Sequence, residues 1–149
     1  MMTENITSFP KEIETCLEYF HVKLETSGNI PEELNKKPIS KFLPGIAAEL
    51  VDNCVDKGAK TVHLTVTANS MRIEDDVVEK NPEKTLDLLN KIKTSRRWIT
   101  TKDRERESSG DAPGGGMGIY QTMNILKLFD GDLNYYVLDG KIVAEVTWK

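Results

Sequence analysis

The sequence has few of the residues from which metal centres, disulfide frameworks and membrane spans are built. Its 149 residues include two cysteines, two histidines and only 7% aromatic side chains. Cys16 and Cys54 lack a metal-ligand spacing, so we interpret them as reduced packing residues inside helices. No apolar run approaches the roughly 18 residues of a membrane span, and the N-terminus lacks a basic and then apolar signal pattern. We therefore expect a cytoplasmic protein without membrane contact.

The charge balance argues against a nucleic-acid-binding protein. The formal net charge is −4, with 30% charged residues of both signs. With this balance, we do not expect direct binding of nucleic acid.

The length predicts one domain over residues 1–149, so a second domain would have to come from another chain.

Apolar periodicity predicts four helices and four strands. The helices are predicted at 10–25, 45–57, 82–93 and 114–129, and the strands at 61–67, 71–75, 133–138 and 141–148. Helices and strands are segregated along the chain, which is typical of an α+β two-layer sandwich. We interpret residues 1–40 as an N-terminal helical extension and the polar stretch 94–113 as a long loop.

Three polar residues share one side of the predicted helix at 45–57. At about 100° per residue, Glu49, Asn53 and Asp56 fall within an arc of about 60°. An amide oxygen flanked by carboxylates can hold a hydrated divalent cation and position a water molecule. The alternative is an ordinary solvated helix face.

The strand at 71–75 ends in an acidic residue. Met71, Ile73 and Asp75 have the same parity, so an inward Met71 and Ile73 place Asp75 inward as well. A buried carboxylate is costly unless it accepts hydrogen bonds, and an adenine amino group is a suitable donor. The alternative is an acidic turn that caps the strand.

Five glycines fall between residues 110 and 118. A glycine-rich turn at a helix start exposes backbone N–H groups to an anion. No GK[ST] sequence follows and no βαβ unit surrounds the cluster, which excludes a P-loop and a Rossmann turn. A flexible linker is the alternative.

These three features together resemble the GHKL superfamily, which includes MutL, type II topoisomerases and sensor histidine kinases. ELVDNCVDKGAKTVHLTV at 49–66 resembles its N-box helix and the following strand, with Lys57 where alanine is usual. The resemblance implies that Asn53 ligates Mg²⁺ on the ATP phosphates, that Glu49 is the general base for water, and that Asp56 lies near the adenine pocket.

Two further boxes of the family have counterparts here. Asp75 matches the adenine-reading aspartate of the DxGxG box, with Asp76 as the adjacent candidate, although the two glycine positions hold Val77 and Glu79. GGGMGI resembles the GxGxGL box at the end of the ATP lid, which 94–113 would form. Its implied nucleotide-binding residues are Gly114, Gly115, Gly116, Met117 and Gly118.

The resemblance implies the Bergerat fold, a mixed sheet covered on one face by helices, with ATP and Mg²⁺ as cofactors. Three functions stay open: an ATPase or protein kinase, a nucleotide sensor without turnover, and a degenerate relative that binds only proteins. MutL-type ATPases take a γ-phosphate lysine from a second domain, and histidine kinases need a histidine-bearing dimerisation helix pair. We therefore expect a partner protein that supplies the missing domain or the phosphoacceptor, and a homodimer remains an option.

Overall fold

One mixed sheet of five strands carries the structure, with helices packed on one face. The computed structural model describes residues 9–27, 30–94 and 118–149. The α-helices of these residues are α1 (Phe9–Tyr19), α2 (Leu43–Asp56), α3 (Pro82–Thr94) and α4 (Gly118–Lys127). The strands are β1 (Lys23–Ser27), β2 (Thr61–Val66), β3 (Ser70–Asp75), β4 (Asp132–Leu138) and β5 (Lys141–Thr147). Short 3₁₀ helices at Glu32–Lys36 and Pro38–Lys41 connect β1 to α2.

The strand order across the sheet is β1-β2-β3-β5-β4. β1 pairs with β2 in parallel, and the other neighbours are antiparallel. The core lies between the helices and the sheet, and β2 and β3 alternate buried and half-buried residues. The predicted α+β two-layer sandwich, with a mixed sheet covered on one face, is confirmed.

The helix α2 ends where the sequence indicates. Gly58 has a φ of 89°, a left-handed conformation that glycine adopts without strain. The Gly58 N–H donates to Val55 O, and the Ala59 N–H donates to Cys54 O. This pair of bonds is the Schellman arrangement that satisfies the last carbonyls of a helix.

The final hairpin also matches its prediction. Asp139 and Gly140 have φ values of 51° and 77°, the left-handed pair that a two-residue type I′ turn requires. The turn fixes the register of β4 against β5, with Tyr135 opposite Ala144.

The predicted first helix is wrong in its second half. It ends at Tyr19, not near Glu25, and Lys23–Ser27 forms β1. His21 has a φ of 60°, which no helical residue has, and the Lys23 N–H then donates to Lys60 O and starts the pairing with β2. The interpretation of Cys16 as a packing residue is wrong too, because Cys16 is exposed on α1, while Cys54 is buried.

Candidate functional site

A cavity of about 520 Å³ lies between α2, α3 and the helix-covered face of the sheet. This volume is within the range of ligand pockets, about 300–1,000 Å³. Its apolar walls come from Leu50 on α2, from Leu88 and Leu89 on α3, and from Ile73, Ile142 and Ala144 on the sheet. Its polar lining residues are Asn53, Cys54, Asp56, Lys57, Asp75, Glu79, Thr85 and Tyr135.

The predicted polar face of α2 divides between two places. Asn53 and Asp56 line the cavity, as their spacing on one helix side allows. Glu49 is not among the cavity-lining residues. Its Oε2 accepts the Gly118 N–H at 2.9 Å, at the first residue of α4. Glu49 thus joins α2 to α4, where its charge meets the positive end of the α4 dipole.

Asp75 lies at the wall of the cavity with its side chain 1% exposed. The predicted inward parity with Met71 and Ile73 is confirmed, because all three residues are buried. Asp75 Oδ1 accepts the Val77 N–H at 2.9 Å. Among the described residues, Oδ2 has no hydrogen-bond partner of suitable geometry.

Lys57 provides the charge that faces Asp75. Its Nζ lies 2.8 Å from Asp75 Oδ2 and 3.8 Å from Glu79 Oε1, and the Lys57 side chain is 27% exposed. The contact with Asp75 is an ion pair, and it offsets part of the cost of burying that carboxylate. Lys57 and Glu79 stand at positions where the GHKL pattern that this chain resembles has alanine and glycine. Together with Asp75, they place three charged side chains at this end of the cavity.

Asp76 occupies a different environment from Asp75. It is exposed, and its Oδ1 accepts the Lys60 N–H at 2.9 Å. It does not line the cavity between α2 and α3 but lies beside a smaller depression that includes His63 and Glu74. Of the two candidate aspartates, Asp75 alone borders the large cavity.

Two further polar groups, the thiol of Cys54 and the phenol of Tyr135, line the cavity. Burial, with the nearby Asp75 charge, raises the pKa of the Cys54 thiol well above its usual range. Burial also raises the pKa of Tyr135, and the nearby Cys54 adds to this effect. Both groups therefore keep their protons at neutral pH.

The remaining predicted residues lie mostly outside the part of the chain that the structure describes. This holds for Gly114, Gly115, Gly116 and Met117, and for residues 95–113 of the expected lid. Gly118 is described and opens α4 with a φ of 50°. Within the described ranges, no cluster of three or more His, Cys, Asp or Glu side chains is arranged to hold a metal. None of the helices in these ranges combines the length and apolarity needed to cross a membrane.

Comparison with known proteins identifies the fold. No family model matches the sequence, and neither does any curated protein. Solved structures do match. The nucleotide-free catalytic domain of histidine kinase ThkA aligns at a TM-score of 0.55 and 14% identity, over 97% of this chain and 92% of that one. This chain has the fold of a histidine kinase catalytic domain.

A second solved structure agrees with the first. The histidine kinase domain of the blue-light activated kinase EL346 from Erythrobacter litoralis aligns at a TM-score of 0.51 and 11% identity. The alignment covers 97% of this chain and 64% of that one, so this chain spans just under two thirds of its length. The fold implied by the resemblance to the GHKL superfamily is thereby confirmed.

The sequence analysis missed several residues at the cavity. Tyr135 has the inward parity of Leu133 and Val137, and a tyrosine at such a position carries a hydroxyl into the core. That parity was the available signal. The Lys57 substitution was visible, but its contact with Asp75 joins α2 to β3, and nothing local in the sequence predicts it.

Proposed function

We propose that this chain is a nucleotide-binding domain that holds Mg-ATP in the cavity between α2 and α3. The observation that carries the proposal is Asp75, a buried carboxylate at a cavity wall whose Oδ2 lacks a directed hydrogen bond among the described residues. The Lys57 ammonium, 2.8 Å from Oδ2, offsets part of the cost of burying this carboxylate. A base amino group that donates to Oδ2 would offset more of it.

The apolar walls support the placement of the base. Leu50, Leu88 and Leu89 line the cavity from the helices, and Ile73 and Ile142 line it from the sheet. A planar purine that lies between aliphatic side chains buries apolar surface away from water. This burial favours binding but does not distinguish one base from another. Selection then depends on the polar groups around Asp75.

Asn53 is the residue that we propose for the cation. It lies one helical turn before Lys57 and lines the cavity. Mg²⁺ is usually held by one or two protein oxygens together with waters and substrate phosphates, so one amide oxygen suffices when ATP supplies the rest. Asp56 lies on the same helix face, between Asn53 and the base end.

Chemistry at the γ-phosphate is proposed to need a partner protein. Among the described residues that line the cavity, the one lysine is Lys57, which Asp75 holds at the base end. His63 lies on the half-buried side of β2, away from the cavity between α2 and α3. We propose that a partner protein supplies the missing domain or the phosphoacceptor of a transfer reaction. We expect slow hydrolysis by the isolated protein.

A second candidate function is a nucleotide sensor that does not turn over. The contact between Glu49 and Gly118 favours it, because a carboxylate engaged with a helix N-terminus is a weaker base for water. In this alternative the cavity binds the nucleotide in the same way, and Glu49 only connects α2 to α4.

The proposal is tested by calorimetric titration of ATP with and without Mg²⁺, on the wild type and two asparagine variants. We expect the wild type to bind ATP, and Mg²⁺ to strengthen binding. Asn53→Ala should lose the strengthening and keep the Mg²⁺-independent affinity. Asn90→Ala, at an exposed position of α3, should behave as the wild type.

A thermal shift provides an independent readout of the same proposal. Ligand at 100 times its Kd stabilises a protein by about 2.7 kcal/mol. Absence of both heat and thermal shift at millimolar ATP would overturn the proposed function and favour a domain that binds only proteins.

A further inference from the structure

The hydroxyl of Tyr135 is a buried polar group without a partner. Its Oη makes no hydrogen bond to any described residue and is closed off from solvent. Buried hydroxyls in proteins are nearly always hydrogen-bonded, so each exception needs a physical explanation. The side chain lines the cavity between α2 and α3, so the unpartnered hydroxyl belongs to a residue that borders a ligand-sized space.

The sheet register places Tyr135 beside two other cavity-lining residues. Tyr135 on β4 is opposite Ala144 on β5, and Ala144 is opposite Ile73 on β3. All three residues line the cavity, so the phenol belongs to one row across its floor. Asp75 follows Ile73 by two residues on the same face of β3.

Cys54 lies near both the phenol and the carboxylate. The thiol donates to Leu50 O at 3.5 Å on α2, and it is close enough to both Asp75 and Tyr135 to interact electrostatically with each. Tyr135 and Asp75 thus line the same cavity from two strands, and Cys54 on α2 lies within electrostatic range of each.

We propose that Tyr135 is a second base-reading residue, which donates a hydrogen bond to a ring nitrogen of the bound purine while Asp75 accepts from its amino group. This inference rests on the proposed function and specifies how that site selects its ligand. An ionised carboxylate can only accept hydrogen bonds, whereas a protonated phenol can donate. The 6-amino group of adenine is flanked by the acceptors N1 and N7, so one of these is the expected partner.

The test compares Tyr135→Phe with Tyr136→Phe in ATP titrations. Tyr135→Phe removes one oxygen from the cavity floor and should weaken ATP binding by about 3- to 10-fold, the usual value of a neutral hydrogen bond. Tyr136 follows on the opposite face of β4, near Arg72, so Tyr136→Phe should bind ATP as the wild type does.

Thermal stability separates a ligand-reading role from a structural one. If the hydroxyl has no partner until ATP binds, Tyr135→Phe keeps or raises the Tm of the free protein, because an unsatisfied group disappears. A lowered Tm together with unchanged ATP affinity would show that the hydroxyl serves the fold and would overturn the inference.

Deaza analogues identify the contacted atom. One of the two analogues, 1-deaza-ATP or 7-deaza-ATP, lacks the ring nitrogen that accepts the hydrogen bond from Tyr135. With that analogue, Tyr135→Phe should bind as tightly as the wild type. A loss that persists with both analogues would contradict a contact to either ring nitrogen. Wild-type binding of ATP with an unaffected Tyr135→Phe overturns this inference alone, whereas a wild type that binds no ATP overturns the proposed function with it.

Discussion

The two halves of α2 differ in how their polar groups are satisfied. In the first half, Glu49 accepts the Gly118 N–H and stabilises the start of α4. At the C-terminal end, Lys57 faces Asp75, and Asp75 Oδ2 and Tyr135 Oη lack hydrogen-bond partners among the described residues. Glu49 thus has a directed hydrogen bond within the chain. Asp75 Oδ2 has an ion pair with Lys57, and a ligand can still add directed hydrogen bonds to Asp75 and Tyr135, so we place the adenine base at this end.

Helix electrostatics favours both arrangements. A carboxylate is stabilised at the N-terminus of α4, and the ammonium of Lys57 is stabilised just after the C-terminus of α2. Charge placement alone therefore does not distinguish structure from function here. The distinction rests on the unsatisfied hydrogen-bonding groups at the cavity.

The largest expected effect is on turnover by Glu49 variants. The resemblance to the GHKL superfamily implies that Glu49 is the general base for water, and such a base contributes about 10²–10⁴-fold to a rate. We therefore expect Glu49→Gln to lower ATP hydrolysis by at least about 100-fold. The amide oxygen of glutamine can still accept the Gly118 N–H, so stability and ATP affinity should stay close to wild type. Steady-state phosphate release and calorimetry measure the two quantities.

Glu49→Ala is the matched control for this contact. It removes the hydrogen bond to Gly118 as well as the general base. The free energy of unfolding should therefore also fall by about 1 kcal/mol, as it does when other side-chain contacts at a helix N-terminus are removed. Unchanged turnover in Glu49→Gln would make Glu49 a purely structural residue and favour the sensor function.

The next effect concerns stability at the other end of α2. Lys57→Met leaves the buried Asp75 carboxylate without its ammonium partner. Removing one partner of a buried pair costs about 3–5 kcal/mol, but Lys57 is 27% exposed, so we expect about 1–2 kcal/mol in urea unfolding.

Two variants check this interpretation of Lys57. The double variant Lys57→Met/Asp75→Asn should recover most of the stability, because it buries no unpaired charge. Lys60→Met, at an exposed position just after α2, should have almost no effect. Equal stability of Lys57→Met and Lys60→Met would show that the ion pair contributes nothing.

The smallest expected effect is a difference between the rates at which a thiol reagent labels the two cysteines. Cys16 is exposed and Cys54 is buried at the cavity, where burial and the Asp75 charge raise its pKa. A thiol reagent near neutral pH should therefore label Cys16 first and Cys54 slowly, and saturating ATP should slow Cys54 alone. Equal labelling rates, or protection of Cys16 by ATP, would contradict the location of the site.

The same raised pKa gives a sign for the pH dependence of stability. Below the ordinary thiol pKa of about 8.5, the folded and unfolded states both hold the proton. Above it, the unfolded state releases the proton while folded Cys54 retains it, so the free energy of unfolding falls as pH rises. Urea unfolding at several alkaline pH values measures this decline.

Local signals in the sequence predicted much of the fold. Gly58 ended α2, Asp139-Gly140 formed the hairpin turn, and strand parity turned Asp75 inward. β1 was missed because only Leu24 of its five residues is buried, and because its pairing with β2 is a parallel contact with a distant segment. An exposed edge strand of this kind has no alternating apolar pattern to detect.

The candidate site was only partly accessible from sequence for a related reason. Helix periodicity grouped Asn53 with Asp56, and strand parity turned Asp75 inward. That the three belong to one site was implied only by the resemblance to the GHKL superfamily. The contact of Lys57 with Asp75 and the position of Tyr135 beside Ala144 depend on how separate elements pack. Such contacts join residues far apart in the chain, so periodicity does not report them.

The most direct test of the account is an ATP titration of Asp75→Asn against Asp76→Asn. Both variants remove one carboxylate from neighbouring positions, but Asp75 alone borders the large cavity. A hydrogen bond to a charged group is worth about 1.5–3 kcal/mol, so Asp75→Asn should weaken ATP binding by about 10- to 100-fold. Asp76→Asn should bind ATP as the wild type does. Wild-type affinity for ATP in Asp75→Asn, or an equal loss in both variants, would contradict the assignment of this cavity as the adenine site.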